Sequence, residues 1–322
     1  MAPPTPPSMP TGQTFTHFAY IPDLGANILY ICIFGFYLLV QVALGIKFRT
    51  WDYMGAMLCG IFLEVAGYTA RIFMRKYPDE RTPFLMDNIC LILGPAFLAA
   101  SIYLCMGRIV VVYGRRLSRL SPRSILIIFI CCDLTNLILQ GVGGAISSTS
   151  LHQDQIQTGI NVIIAGLATQ VTSLLMFICL GVEFAFRVRS PSQDLAKETG
   201  DLRETKVWKA FLFGLALATF CTFTRSCFRI AELSQGFSGP LANNEVTFMV
   251  LEGAMMIIAT GSLTLLHPGL CFQGHWKAGK EQWPQDHGVV ESVYPKDGNS
   301  VNVTIETKEV QSTAVLGVKD MA

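Results

Sequence analysis

Charge is scarce in this sequence: Asp, Glu, Lys and Arg make up 15% of its 322 residues and leave a net charge of +1. That balance excludes a nucleic-acid surface or a docking face for acidic macromolecules, both of which need a basic excess. Histidine is scarce too, five in all, and only His267 adjoins an apolar stretch. A histidine-rich metal centre, or an intramembrane hydrolase built on a nucleophile–base pair, therefore has few residues to use. No enzymatic activity and no cofactor are expected. The first ten residues, MAPPTPPSMP, lack the basic and apolar regions of a secretory signal peptide, so the first apolar stretch is expected to act as its own insertion signal. The run Gly274 to Lys280 has the glycine spacing of a phosphate-binding loop, but Glu281 replaces the Ser or Thr and no strand pattern precedes it. Without an ATP site, any transport would run downhill or be coupled to an ion. None of the ten cysteines falls in an outer loop, which argues against a disulfide framework. Cys271, just past the last apolar stretch, is a candidate for acylation at the membrane surface.

What the chain has in abundance is apolar length. Residues 25–46 contain no charged side chain, and at 1.5 Å per residue they cover about 33 Å, slightly more than a hydrocarbon core of about 30 Å. Six comparable stretches follow at 52–73, 88–110, 124–146, 159–181, 210–231 and 246–266. This pattern predicts an all-α fold, a bundle of seven membrane-spanning helices occupying residues 20–272. A Pro-rich tail (1–19) and a polar cytosolic tail (273–322) flank it and are expected to be disordered. Asn302-Val303-Thr304 is a glycosylation sequon on the side where it would not be used. Pro95 is expected to kink the third span.

Lys and Arg alternate between loops. Lys47 and Arg49 lie in the first, Arg115, Arg116, Arg119 and Arg123 in the third, and Arg187, Arg189, Lys197, Arg203 and Lys206 in the fifth; Lys277 and Lys280 follow the last span. The opposite side holds only Arg75, Lys76 and Arg81. The positive-inside rule then places the N-terminus outside and the C-terminus in the cytosol.

The few charges inside the spans are the candidate functional groups. An ionised side chain near a helix centre costs about 3 kcal/mol on insertion scales, so each should face the bundle interior and find a partner. Glu64 lies about 18 Å along span two from the cytosolic end, Asp133 about 14 Å along span four, and Gln170 about 16 Å down span five from outside. Arg225, about 22 Å up span six, and Glu252, about 10 Å down span seven from outside, lie at similar depth and are expected to be able to pair. Asp133, Asn136 and Gln140 share one helical face, as do Arg225, Arg229 and Glu232, and Glu64 shares one with Arg71. Together they predict a polar ladder from the midplane toward the outer leaflet. Within it Glu64, Asp133, Gln140, Gln170, Arg225 and Glu252 are the candidate substrate-binding residues. Arg71, Arg229, Glu232 and Glu245, nearer the rim, are expected to be structural ion-pair partners. Gly141, Gly143 and Gly144 are read as close helix packing.

Taken in order, these residues resemble the fungal lipid-translocating exporter family, the RTA-like proteins. The resemblance runs from Tyr20 to Phe272. It is carried by Glu64-x-x-Gly67-Tyr68-x-x-Arg71, then Pro95, Ala99-Ala100, Tyr103 and Arg108, then Asp133, Gln140 and Gly143-Gly144, and by Gly166-Leu167-x-x-Gln170. Its most specific part is Arg225-x-x-Phe228-Arg229-x-x-Glu232-x-x-x-Gly236, followed by Gly239, Glu245 and His267-Pro268-Gly269. Where the family pattern has Tyr and Asp in span seven, this chain has Met249 and Glu252, which keeps the carboxylate and loses the phenol. The resemblance implies a multi-pass protein of the plasma membrane or the vacuolar membrane, linked to lipid asymmetry and resistance to toxic amphipaths. The expected function is translocation of amphipathic lipids or small molecules, such as sphingoid bases or sterol-like amines, with a cationic head group on Asp133, Glu64 or Glu252. The alternative is a seven-span lipid or stress sensor whose basic cytosolic loops engage a regulatory partner.

Overall fold

A computed structural model describes residues 23–77, 81–114, 118–119, 121–149, 153–189, 205–234 and 244–272. The expected tails (1–19 and 273–322) lie outside the described residues, as do Arg115, Arg116, Lys197, Arg203, Gly236, Gly239, Lys277, Lys280 and the sequon at Asn302.

Seven long helices carry the chain: α1 (Leu24–Phe48), α2 (Trp51–Lys76), α3 (Arg81–Tyr113), α4 (Pro122–Thr149), α5 (Gln153–Arg189), α6 (Lys206–Ser234) and the seventh span, α7 (Glu245–Cys271). Each is long and apolar enough to cross a membrane. Their ends are set by local chemistry. The Asp23 carboxylate accepts the Ala26 amide at 2.8 Å to cap α1, and Arg49, at φ 53° in the left-handed region, closes it. Asn244 caps α7 through the Thr247 amide at 3.2 Å. The helices outrun the apolar stretches, most of all α5, which is 37 residues long. Hydropathy marks only the part of a helix that hydrocarbon surrounds, whereas backbone hydrogen bonding continues into the polar turns beyond it. Pro95 sits inside the continuous α3.

Helices adjacent in sequence pack side by side, and α1 also packs against α7, which closes the ring. α3 touches α2, α4 and α6 and is the most buried span. The core around it holds Tyr53, Met57, Ile61, Ile102, Trp208 and Phe211. Large apolar side chains such as Phe36, Leu39, Phe186, Phe213 and Leu265 point outward and are more than half exposed, as a hydrocarbon solvent permits. Because lipid tails are as apolar as leucine, helix association here depends on close fit and polar contacts rather than on expelling water. The α4–α5 pair shows the fit: a Cβ added at Gly143 would lie 2.7 Å from the Gly159 carbonyl oxygen, and one at Gly159 would lie 2.6 Å from the Ser147 amide nitrogen.

The end of α7 corrects one expectation. His267 accepts the Gly269 amide on Nδ1 at 3.0 Å and caps the final turn Pro268–Cys271. That turn folds back onto α1 and α6, so Cys271 is 1% exposed and unsuited to acylation.

If glycine contact holds α4 to α5, Gly159→Leu should lower the thermal unfolding midpoint of purified protein, at a cost of about 1–3 kcal/mol. Gly141→Leu, at a position where an added Cβ would meet nothing within 4 Å, should leave the midpoint within about 0.5 kcal/mol.

Candidate functional site

The intramembrane charges fall into two groups rather than one ladder. The first lies where α2, α3, α6 and α7 meet. From α6, Arg225 Nη2 donates to Glu252 Oε1 of α7 at 2.5 Å and also to the Leu91 carbonyl of α3. One turn on, Arg229 Nη1 donates to Glu232 Oε2 at 2.8 Å and its Nη2 to Asn88 Oδ1 of α3 at 3.0 Å. Its Nε lies 3.6 Å from Glu252 Oε1. From α2, Arg71 Nη1 stands 3.4 Å from Asp87 Oδ2 of α3, and its guanidinium lies 3.8 Å from the centre of the Phe248 ring. Each of these charged side chains is no more than 7% exposed.

The pairing of Arg225 with Glu252 is the one their equal depth anticipated. Arg229 and Glu232, expected as ion-pair partners, do pair; they are 4% and 5% exposed and belong to the same network. Glu245 does not join it: its Oε1 accepts the Asp23 amide at 2.5 Å, tying the start of α7 to that of α1, and no ion pair of Glu245 occurs among the described residues.

Glu64 is the exception in this group. It is 1% exposed, and neither carboxylate oxygen has a hydrogen-bond partner. α3 makes room for it: a Cβ at Gly94 would sit 2.7 Å from Glu64 Oε1. Three guanidiniums, of Arg71, Arg225 and Arg229, thus face four carboxyls, of Glu64, Asp87, Glu232 and Glu252. Three of the four carboxyls are in ion pairs with these arginines, and Glu64 makes none among the described residues.

Glu252 owes its place to a feature with no sequence signal. Residues Met249–Ala254 form a π-helical turn within α7, a local widening often found at functional sites. The Tyr30 hydroxyl donates to the Met249 carbonyl at 2.8 Å, and the buried Tyr68 hydroxyl points at the same turn, 2.7 Å from where a Cβ at Gly253 would stand. Two phenols from α1 and α2 therefore reach the region where the residue at 249 supplies none.

The second group lies between α3, α4 and α5. Asp133 is 7% exposed and is hydrogen-bonded by the Tyr103 hydroxyl of α3. Gln140 Nε2 donates to Gln170 Oε1 at 3.1 Å, joining α4 to α5. Between them Asn136 is 1% exposed with both amide atoms unpartnered. A Cβ at Gly166 would lie 2.9 Å from Gln140 Cγ, so the glycine of Gly166-Leu167-x-x-Gln170 admits the Gln140 side chain. Asp87, Asn88 and Tyr68 were not among the expected site residues. Asp87 and Asn88 sit at the start of the third apolar stretch, where hydropathy treats a polar residue as the end of a span. The available signal was that Arg71, near the C-terminal end of α2, required a carboxylate close to the following turn.

The family model for RTA1 like protein matches residues 57–275. The sphingoid long-chain base transporter RSB1 of Saccharomyces cerevisiae (strain Lalvin EC1118 / Prise de mousse) is 36% identical over 282 residues, covering 79% of this chain and 74% of that protein. Protein RTA1 of Saccharomyces cerevisiae (strain ATCC 204508 / S288c) is 25% identical over 269 residues, 76% and 82% of the two chains. Protoporphyrin uptake protein 1 of the same strain is 28% identical over 203 residues, 62% and 63%. No solved structure matches this chain.

The two glutamates should respond oppositely to neutral replacement. Glu252→Gln strands the Arg225 guanidinium, and breaking one side of a buried pair costs about 3–5 kcal/mol. Glu64→Gln removes a charge with no hydrogen bond to lose and should cost under about 1 kcal/mol. Thermal unfolding midpoints of the two purified variants measure the difference; equal losses would mean that Glu64 is held by the same network.

Proposed function

Because this chain belongs to the RTA1-like protein family, we propose that it moves amphipathic lipids or toxic amphipaths across a membrane, with sphingoid-base-like amines as the favoured class. The observation that carries the reading to a residue is the unpaired Glu64. A carboxylate without a counter-ion at this depth is costly, and the cost falls when a cation arrives. The ammonium of a long-chain base supplies one, and its tail remains among apolar side chains. Asp133, held only by a phenol on one oxygen while the other has no partner, is a second place for the head group on a route between α3 and α4. Arg225, Glu252, Gln140 and Gln170 then hold the helices around these two acids and tune their field.

The family name of the sphingoid long-chain base transporter supports this substrate class, and that of the protoporphyrin uptake protein supports a broader range of amphipaths. Glu64 is closed off in this structure, so the cycle requires the helices around it to part. The names of two relatives, a sphingoid long-chain base transporter and a protoporphyrin uptake protein, favour transport over catalysis. We place the protein in the plasma membrane, with the N-terminus outside and the basic ends of α5 and α6 in the cytosol, where the Lys and Arg of the loops concentrate.

The test is flux of a fluorescent long-chain base in liposomes containing the purified protein. Glu64→Gln and Asp133→Asn should each lower the rate about tenfold or more, corresponding to about 1.4 kcal/mol or more, with thermal midpoints near that of the unsubstituted protein. Unchanged flux in both variants would remove the proposed seats.

A further inference from the structure

A second site lies away from the buried charges, in a groove between α3, α5 and α6. Its volume is about 810 Å³, at the upper end of the ~300–1,000 Å³ usual for ligand pockets. Met106 and Ile109 of α3 form part of its floor, and α5 and α6 form its walls. Small residues open it: Gly181, where an added Cβ would meet nothing within 4 Å, with Ala185 and Ala216. Its inner polar groups are already satisfied. Thr219 Oγ1 donates to the Leu215 carbonyl at 2.8 Å, and the Tyr113 hydroxyl accepts from Trp208 Nε1 at 3.1 Å.

One end of the groove differs. Arg189, the last residue of α5, and Lys209, in the first turn of α6, both line it. Both are exposed, neither has an ion pair among the described residues, and no carboxylate is among the lining residues. From Arg189 to Phe177 along α5, or from Lys209 to Phe220 along α6, the helix rise is about 16–18 Å. That is close to half of a ~30 Å hydrocarbon core. The groove therefore runs from head-group level to the bilayer midplane, apolar along its length and doubly cationic at its mouth.

We propose that this groove binds an anionic phospholipid of the adjacent leaflet, its phosphate between Arg189 and Lys209 and an acyl chain along Gly181, Ala185 and Ala216. The charge at the mouth selects against the amine-bearing amphipaths assigned to Glu64, because two cations repel an ammonium and attract a phosphate. Basic pockets between spans are a known way for membrane proteins to hold anionic lipid on the cytosolic side. On the proposed orientation that is the side where this mouth opens. The site goes beyond the transport reading and stands on different residues.

Native mass spectrometry of the purified full-length protein, titrated with phosphatidylserine or phosphatidylcholine, tests the site. The unsubstituted protein should retain phosphatidylserine about tenfold or more over phosphatidylcholine. Arg189→Gln combined with Lys209→Gln should abolish that preference, and Ala216→Trp, which fills the groove from an exposed position, should reduce retention of phosphatidylserine itself. Inorganic phosphate at millimolar concentration should not displace the lipid. Equal retention of the two lipids, an unchanged preference in the double variant, or displacement by inorganic phosphate would each overturn the proposal. So would one-for-one displacement by a long-chain base, which would make the groove part of the cargo route.

Discussion

The interior of this bundle depends on one contact between α6 and α7, the Arg225 guanidinium on the Glu252 carboxylate at 2.5 Å. Both groups are almost wholly buried, and each offsets the cost of holding the other's charge away from water. Once paired, they fix the register of α6 against α7. They also bring Arg229 to Glu252 and Glu232, and the Leu91 carbonyl of α3 to Arg225. The π turn at Met249–Ala254 belongs to the same constraint: it presents Glu252 to α6 and frees the Met249 carbonyl for Tyr30.

Glu64 acquires its meaning from this arrangement. Beside an unsatisfied arginine it would be one more structural acid. Here the arginines are already engaged by Glu252, Glu232 and Asp87, and the fourth carboxyl is left in excess. A network that binds its own charges tightly and leaves one over is suited to attracting a small cation and releasing it, because the frame does not collapse when the cation leaves. The groove between α3, α5 and α6 has the opposite polarity at its mouth. On the two proposals above, an amine-seeking interior is kept apart from a phosphate-seeking surface, which would let a resident membrane lipid and a transported amphipath occupy the protein without competing.

Most of the fold was legible without coordinates. The apolar stretches gave the number of spans, because only a helix satisfies its own backbone in lipid, and the depth of each charge followed from rise per residue. Depth was enough to pair Arg225 with Glu252. It gave Arg229 and Glu232 as ion-pair partners, and they pair, but it failed to give their burial: distance along the axis says how far a residue is from the rim, while burial depends on which way the helix is turned. It failed also for Asp87 and Asn88, polar residues at a stretch boundary that the longer α3 carries into the bundle. Cys271 looked accessible because it follows the last span, and the capped turn after His267 rotates it inward.

The sequence by itself determined the seven helices, their order and the presence of costly ionic groups within them, since these follow from local composition and from the energetics of the surrounding solvent. Only the tertiary structure decided which charges cancel. Pairing depends on how each helix is rotated against its neighbours, and that geometry leaves Glu64 without an ion pair among the described residues while Asp87, Glu232 and Glu252 each find an arginine.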